Sequence, residues 1–300
     1  MRLLMLQLLA LALLVLDCST KTNEGGVLKP PPPPPPKLSS ARIAFTSTRG
    51  GTSDLYLLNV QDSSVVRLTN DAPVEEVPVI SPDSTAIAYM EKVSSRFDVF
   101  VMNVDGTNRR NITNDPNADD LLPRWSPDGK LLMFTKLIGT STNVYTIRRD
   151  GTGLTAISND GASGSLDWSP GGTRLLIARG DGMWTVGTDG SSPAFVDTIQ
   201  VASAEYSPDG AHIAIAALYA GNYQIFTMPA NGGTKTLVST FVRDICFGPT
   251  WSPDGTRIAF MAADNGVPWD IFTIKSDGTD LVNLTNNAAQ DVFPYWGPKP

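Results

Sequence analysis

The chain has 300 residues, with 23 Lys and Arg against 30 Asp and Glu, one histidine and two cysteines. Its 41% hydrophobic and 18% charged content is that of a folded chain, which excludes wholesale disorder. One histidine excludes any mechanism needing two imidazoles, two cysteines cannot build a disulfide framework, and a net charge of −7 argues against a nucleic-acid partner.

Arg2 opens onto Leu3–Leu16, an apolar run broken only by Gln7. Crossing a hydrocarbon core takes about 20 residues, so this run has instead the length of a signal-peptide core behind a short positive start. It ends in Val15-Leu16-Asp17-Cys18, which resembles the lipobox of bacterial lipoproteins, with Asp17 where that pattern prefers a small residue. Residues 1–18 are therefore read as an export signal with Cys18 as the lipidation site; the rival readings are ordinary cleavage nearby or an uncleaved anchor. Residues 19–40 contain the proline run Pro30–Pro36. Proline fixes φ and has no N–H, so this linker is expected to be an extended polyproline II spacer reaching about 20 Å. Arg2, Lys21, Lys29 and Lys37 against Asp17 and Glu24 give residues 1–40 a charge of +2, which leaves −7 − 2 = −9 on residues 41–300.

That remainder is repetitive. Ile80-Ser81-Pro82-Asp83, Trp125-Ser126-Pro127-Asp128-Gly129, Trp168-Ser169-Pro170-Gly171, Tyr206-Ser207-Pro208-Asp209-Gly210, Trp251-Ser252-Pro253-Asp254-Gly255 and Trp296-Gly297-Pro298 recur at spacings of 45, 43, 38, 45 and 45 residues. After each turn comes a short alternating run such as Ile258-Ala259-Phe260, then a second such as Asp270-Ile271-Phe272, a tight Asp-Gly or Asn-Gly turn (Asp105-Gly106, Asp150-Gly151, Asp189-Gly190, Asn231-Gly232, Asp277-Gly278), and a third run ending in Ile112-Thr113, Ile157-Ser158, Leu237-Val238 or Leu284-Thr285. Short β-branched and aromatic runs bounded by turn residues read as strands, and units of about 40–45 residues with four strands read as propeller blades. Residues 41–69 supply three strands without a first, and residues 292–298 supply a first strand with nothing after it. The expected fold is all-β: a six-bladed β-propeller over residues 41–300, of four-stranded antiparallel blades, closed by the C-terminal strand completing the first blade. The recurrent aromatic is expected to pack between blades.

The series W-S-P-D-G, I-A-F, D-I-F, D-G and L-T resembles the TolB-type (WD40-like, PD40) propeller repeat over nearly all of residues 41–300, with the units around Trp125 and Trp251 matching best. The unit around Tyr206 departs most, with no aspartate before its third strand and Val238 in place of the Leu-Thr end. TolB is a periplasmic protein of the Tol–Pal envelope system, whose six-bladed propeller follows an α/β domain and binds the lipoprotein Pal. The resemblance thus implies a propeller, an envelope location and a Pal-like protein partner, without the TolB α/β domain. Similar repeats form the propellers of prolyl oligopeptidase-like peptidases, whose G-x-S-x-G elbow is missing here.

The longest connections are those entering each unit's first strand, at 70–77, 114–122, 159–165, 197–202, 240–247 and 286–292. In a propeller these gather around one mouth of the central channel, where binding groups tend to lie. Glu75, Asp120 and Asp291 share one repeat position there, with Glu76, Asp119, Arg243 and Asp244 beside them. They are expected to make an acidic mouth that binds a basic segment of an envelope protein or peptide; a divalent cation on hard oxygen ligands and a merely solvated acidic face are the other readings. Aspartates of the Asp-Gly turns are read as structural. His212 is expected on the opposite face without a partner base for the lone Cys246, and the sequons at Asn111 and Asn283 merely repeat the blade motif. No cofactor, metal or catalytic constellation is expected. The functional reading is a monomeric, exported, non-catalytic scaffold in the periplasm or on the outer membrane of a Gram-negative bacterium. The alternative is a hydrolase or lyase of envelope carbohydrate or peptide, with Asp120 and Asp291 as its carboxylate pair.

Overall fold

The computed structural model describes residues 42–71, 73–239, 245–263 and 268–297. The export segment, Cys18 and the proline spacer therefore lie outside the described residues, as do Arg243 and Asp244. Among the described residues all regular structure is β, in six antiparallel sheets of four strands. In chain order the strands are β1 (Arg42–Ser47), β2 (Asp54–Asn59) and β3 (Val65–Arg67); β4 (Glu75–Ile80), β5 (Ala86–Val93), β6 (Arg96–Asn103) and β7 (Arg110–Asn111); β8 (Asp119–Trp125), β9 (Leu131–Ile138), β10 (Ser141–Arg148) and β11 (Thr155–Ala156); β12 (Gly164–Trp168), β13 (Arg174–Arg179), β14 (Gly182–Gly187) and β15 (Ala194–Asp197); β16 (Val201–Tyr206), β17 (His212–Tyr219), β18 (Asn222–Pro229) and β19 (Thr236–Leu237); β20 (Ile245–Trp251), β21 (Arg257–Ala263), β22 (Asp270–Lys275) and β23 (Val282–Asn283); and β24 (Asp291–Trp296). The last strand pairs antiparallel with β1, Ile43 opposite Trp296, so that β24-β1-β2-β3 is one blade assembled from both ends of the propeller. The expected six-bladed propeller and its mode of closure are what the structure shows.

Each element of the repeat has a mechanical reason. The serine after the aromatic donates to the aspartate two residues on (Ser126 Oγ to Asp128 Oδ1, 2.7 Å) and accepts from the N–H that starts the next strand (Leu131, 2.9 Å), while Asp128 Oδ1 caps the Lys130 N–H. The same set recurs at Ser81, Ser207 and Ser252. These local side-chain bonds satisfy backbone groups that a tight turn leaves unpaired. The aromatic ties blades together: the indoles of Trp125, Trp168 and Trp251 donate to the carbonyls of Val79, Arg124 and Glu205 in the preceding blade.

The third run's terminal hydroxyl accepts the first N–H of the second run, as in Thr69 from Leu55, Thr113 from Val99, Ser158 from Val144 and Thr285 from Ile271. The Asp before that N–H then holds the loop that follows: Asp98 accepts from Asn111 and Asp115, and Asp270 from Asn283 and Thr285. The divergent blade β16–β19 keeps this device with other residues, since Ser239 accepts from Ile225 and donates to Gln224 Oε1 at 2.6 Å. The blade β12–β15 replaces it. Gly182 stands where the others carry Asp, Asn or Gln, because the carbonyl of Asp197 on β15 would lie 2.1 Å from a Cβ there. Its fourth strand, β15, carries no Leu-Thr signature and has no counterpart among the runs read from the sequence.

The Asp-Gly and Asn-Gly hairpins press against the preceding blade. Gly232 (φ 91°) would place a Cβ 2.2 Å from the carbonyl oxygen of Val196, whereas Gly221 (φ 95°) has nothing within 4 Å. Both need a left-handed backbone, but only one is walled in by a neighbour. Gly221→Ala is expected to cost about 1 kcal/mol for the backbone alone. Gly232→Ala should cost about 3 kcal/mol or more, since its clash is with backbone that must move. Paired urea titrations of the two variants test this, and equal losses would remove the interblade contact as the reason for the glycine.

Candidate functional site

The first strand of each blade is the innermost, so β4, β8, β12, β16, β20 and β24 together wall a central channel. The loops entering these strands share one face with the hairpins between second and third strands: Glu75 N donates to Ser53 O, Lys92 N to Val74 O, and Asp291 N to Trp269 O.

The acids predicted for the mouth are not open there. Glu75, Glu76, Asp120 and Asp291 stand at the beginnings of β4, β8 and β24, all with 0% exposure. Glu75 pairs with Arg109, which also serves Asp71 and Glu91. Burial pushes the Glu75 carboxyl up to about 8 despite that pairing, because one guanidinium is divided among three carboxylates. Asp120 pairs with Lys136 at 3.0 Å, shared with Asp115 at 2.8 Å, and burial pushes it up to about 6. Asp291 pairs with Arg49 at 2.8 Å, and Asp119 with the half-exposed Arg96 at 2.6 Å. The cations of the three aligned pairs lie over the rings of Tyr89, Tyr145 and Tyr56. The repeat position thus carries three independent internal ion pairs, and Asp120 and Asp291 each face their own cation rather than one another. Among the described residues no three His, Cys, Asp or Glu side chains are grouped to hold a metal ion. Cys246 is fully buried, and His212 is exposed in a shallow polar groove with Asp209 and Asp254 on the other face.

What faces the channel is mostly apolar, and part of it is held by strain. Val77 (φ 52°), Leu122 (φ 55°) and Phe293 (φ 54°) are left-handed, as is Gly248 (φ 60°), and each directly precedes a proline. They sit three residues before Ile80, Trp125, Trp296 and Trp251, at irregularities in the pairing of the inner strands. A left-handed conformation costs a non-glycine residue about 1–2 kcal/mol and is an outlier for valine. The bulge turns Val77, Leu122 and Phe293 to the channel, with Met90, Phe247 and Met261 completing an apolar collar. Two of the displaced N–H groups point at sulfur, Leu122 at Met90 Sδ and Phe293 at Met261 Sδ, both at 3.3 Å.

Nearer the other face, the residue before each recurrent aromatic forms a further ring: Val79, Arg124, Asp167, Glu205, Thr250 and Tyr295. Its polar members latch neighbouring blades. Asp167 Oδ2 accepts from Tyr206 N at 2.8 Å, Glu205 Oε1 from Trp251 N at 2.7 Å and Thr250 Oγ1 at 3.0 Å, and Thr250 Oγ1 from Trp296 N at 3.2 Å. Burial pushes Asp167 up to about 6; burial and the charge of Asp167 push Glu205 up to about 8. Sequence reading passed over these residues. The signal was present, since a charged residue next to the aromatic of a buried strand faces the side opposite the packed one.

The fold and channel define a class: a closed six-bladed propeller with an apolar, bulge-lined channel and a small charged floor. Residues 38–171 match the family model described as TolB beta propeller domain. Over that stretch the chain is similar to TolB-type β-propellers. It is 31% identical over 130 residues to the Tol-Pal system protein TolB of Anaeromyxobacter dehalogenans (strain 2CP-C), a match covering 41% of this chain and 29% of that protein. The chain thus spans less than a third of that curated relative. Crystallographic TolB from Acinetobacter baumannii superposes with a TM-score of 0.75 at 20% identity, over 86% of this chain and 67% of the other. An oligogalacturonate lyase from Vibrio parahaemolyticus shares the fold with a TM-score of 0.57 at 15% identity, over 80% and 73% of the two chains.

Proposed function

We propose that the protein is an exported envelope scaffold that receives a segment of a protein or peptide partner in its propeller channel and performs no chemistry on it. The observation that supports this best is the collar. Strained, left-handed apolar residues persist where surrounding structure holds them in place and a site uses them, and Val77, Leu122 and Phe293 spend that strain on exposing apolar surface to the channel. On the same face the hairpin tips carry exposed Val93, Ile138, Leu218 and Tyr219. The similarity to a Tol-Pal system protein supports an envelope location and a Pal-like lipoprotein as the kind of partner.

In this reading Cys18 carries a lipid and residues 19–40 form the spacer. Arg42 begins β1 at the end paired with Trp296 and Gly297. A tether joined there leaves from the face opposite the mouth, so the channel opens away from the membrane. The acids Glu75, Glu76, Asp119, Asp120 and Asp291, with Arg243 and Asp244, then act by shaping the mouth and its potential.

Photo-crosslinking in cells tests the reading. A photoreactive residue at Leu122, in the collar, is expected to give an adduct with an envelope protein, and one at Leu154, on the outer surface, is not. Equal labelling from both positions, or none from Leu122, would remove the channel as the binding site.

A further inference from the structure

The floor of the channel holds more polar capacity than the protein uses. Among the described residues Arg124 donates to its neighbour's carbonyl, Pro123 O, and its buried Nε has no hydrogen-bond partner. It forms no ion pair with Asp167 or Glu205 among the described residues. Besides its latch bond Asp167 accepts from the neighbouring Trp168 N–H, and Glu205 and Tyr295 line the channel beside Arg124. Two carboxyls against one guanidinium leave an excess of one negative charge when both are ionised. Burial pushes the Tyr295 phenol upward, with Glu205 and Asp167 adding to the push and Arg124 opposing it.

A separate observation points the same way. Glu76 occupies the ring position at which Leu121, Gly164, Ala202 and Phe247 line the channel. It is fully buried and neither carboxyl oxygen has a hydrogen-bond partner. An unpaired buried carboxyl is costly, and burial holds this one protonated up to about pH 8, so it adds negative potential to the wall between mouth and floor above that pH. Above the floor the collar is apolar.

A ligand matching this profile carries an aliphatic stem and a cationic head, as lysine and arginine do. We infer that the channel floor is a site for one long basic side chain of the partner segment, its stem against Val77, Leu122, Phe247 and Phe293 and its head between Asp167 and Glu205. Above about pH 8, where Glu205 is ionised as well as Asp167, Arg124 confines the floor to a single excess charge, so one cation neutralises it and a second is repelled. The −9 charge of residues 41–300 steers cations toward the protein over longer range. The inference rests on the channel being the binding site, and it is tested without any partner so that the two can fail separately.

The probes are n-hexylammonium, 1-hexanol and hexanoate, which share a stem and differ in the head. Calorimetric titration of purified protein at about pH 9 and fixed ionic strength, where both carboxyls are ionised, is expected to show n-hexylammonium binding at least 10-fold tighter than either other probe, with about 10-fold being the discrimination expected of one unscreened charge. Glu205→Gln and Asp167→Asn keep an acceptor for Trp251 and Tyr206 and should each abolish the preference, and Arg124→Met should strengthen it. Thermal melts confirm that each variant is folded. Preference for hexanoate would assign the floor to anions through Arg124. Equal binding of all three, no binding, or a cation preference unchanged in both carboxyl variants would overturn the proposal. If n-hexylammonium binds while Leu122 captures no partner in cells, the floor site stands and the scaffold reading falls.

Discussion

A chain lacking residues 291–300 is expected to lose its cooperative thermal transition, and a circular permutant that moves β24 to the other end is expected to keep it. Removing β24 takes away Val292 (1% exposed) and Trp296 (7% exposed), and with them the core that joins the composite blade to its neighbour through Ile43, Phe45 and Ile258. Loss of a buried tryptophan alone costs about 3–5 kcal/mol, and a domain's whole stability is about 5–15 kcal/mol. The ladder to β1 and the Thr250–Trp296 bond go as well, and the inner edge of β1 opens. In the other five blades the first strand enters the second through a short turn, with Trp125 facing Leu132 and Trp251 facing Ile258. Joining Trp296 to Arg42 by Ser-Pro-Asp-Gly-Lys reproduces that spacing. Circular dichroism melts of both proteins decide the matter. A truncated chain that still melts cooperatively near the parent would show that the ring does not depend on its closing strand. A permutant that stays unfolded would show that pairing alone is not what closes it.

The propeller was legible because its repeat consists of local devices, each with its own chemical necessity. Serine and aspartate of the turn, the Asp-Gly hairpin and the terminal threonine all satisfy backbone groups a few residues away, so they recur with fixed spacing. The blade β12–β15 shows the limit: its fourth strand lacks the hydroxyl, and the close approach of Asp197 to Gly182 is a contact between segments that no local spacing encodes. The candidate site was less legible for the same reason. Glu75, Asp120 and Asp291 aligned correctly, but alignment does not show direction. Arg109, Lys136 and Arg49, which pair with them, come from other elements of the same blade. The channel residues lay one step from the motif, at Arg124, Asp167 and Glu205, in a strand whose alternate residues face the core and the channel. The prolines that marked the alignment also mark the bulges, whose left-handed backbone became visible only with the coordinates.

Replacing Glu76 by leucine, the residue at the equivalent position 121, is expected to stabilise the protein most at alkaline pH. Burial pushes the Glu76 carboxyl from 4.5 up to about 8, with Lys92 as the one charge opposing the shift. Below pH 4.5 the group is protonated in both folded and unfolded chains, and its stability contribution is at its best. As pH rises above that value the unfolded chain releases the proton while the folded one retains it, so stability falls until pH passes about 8 and then levels off. A shift from 4.5 to about 8 sets a ceiling of about 5 kcal/mol on the effect. For a propeller of this size the gain in Tm for Glu76→Leu should be roughly 5–10 °C at pH 8.5, and smaller at pH 5, where only an unpaired neutral carboxyl is removed. Glu75 and Glu205, also pushed up to about 8, leave a residual decline with pH in the variant. A gain independent of pH would mean that Glu76 is already ionised and paired in the fold. The wild-type residue is thus a standing cost in a position where leucine fits, and the channel explains what it serves. Above about pH 8, where the carboxyl ionises, its charge belongs to the wall that draws a basic side chain to the floor, so at about pH 9 the stabilised variant should also bind n-hexylammonium more weakly than the parent.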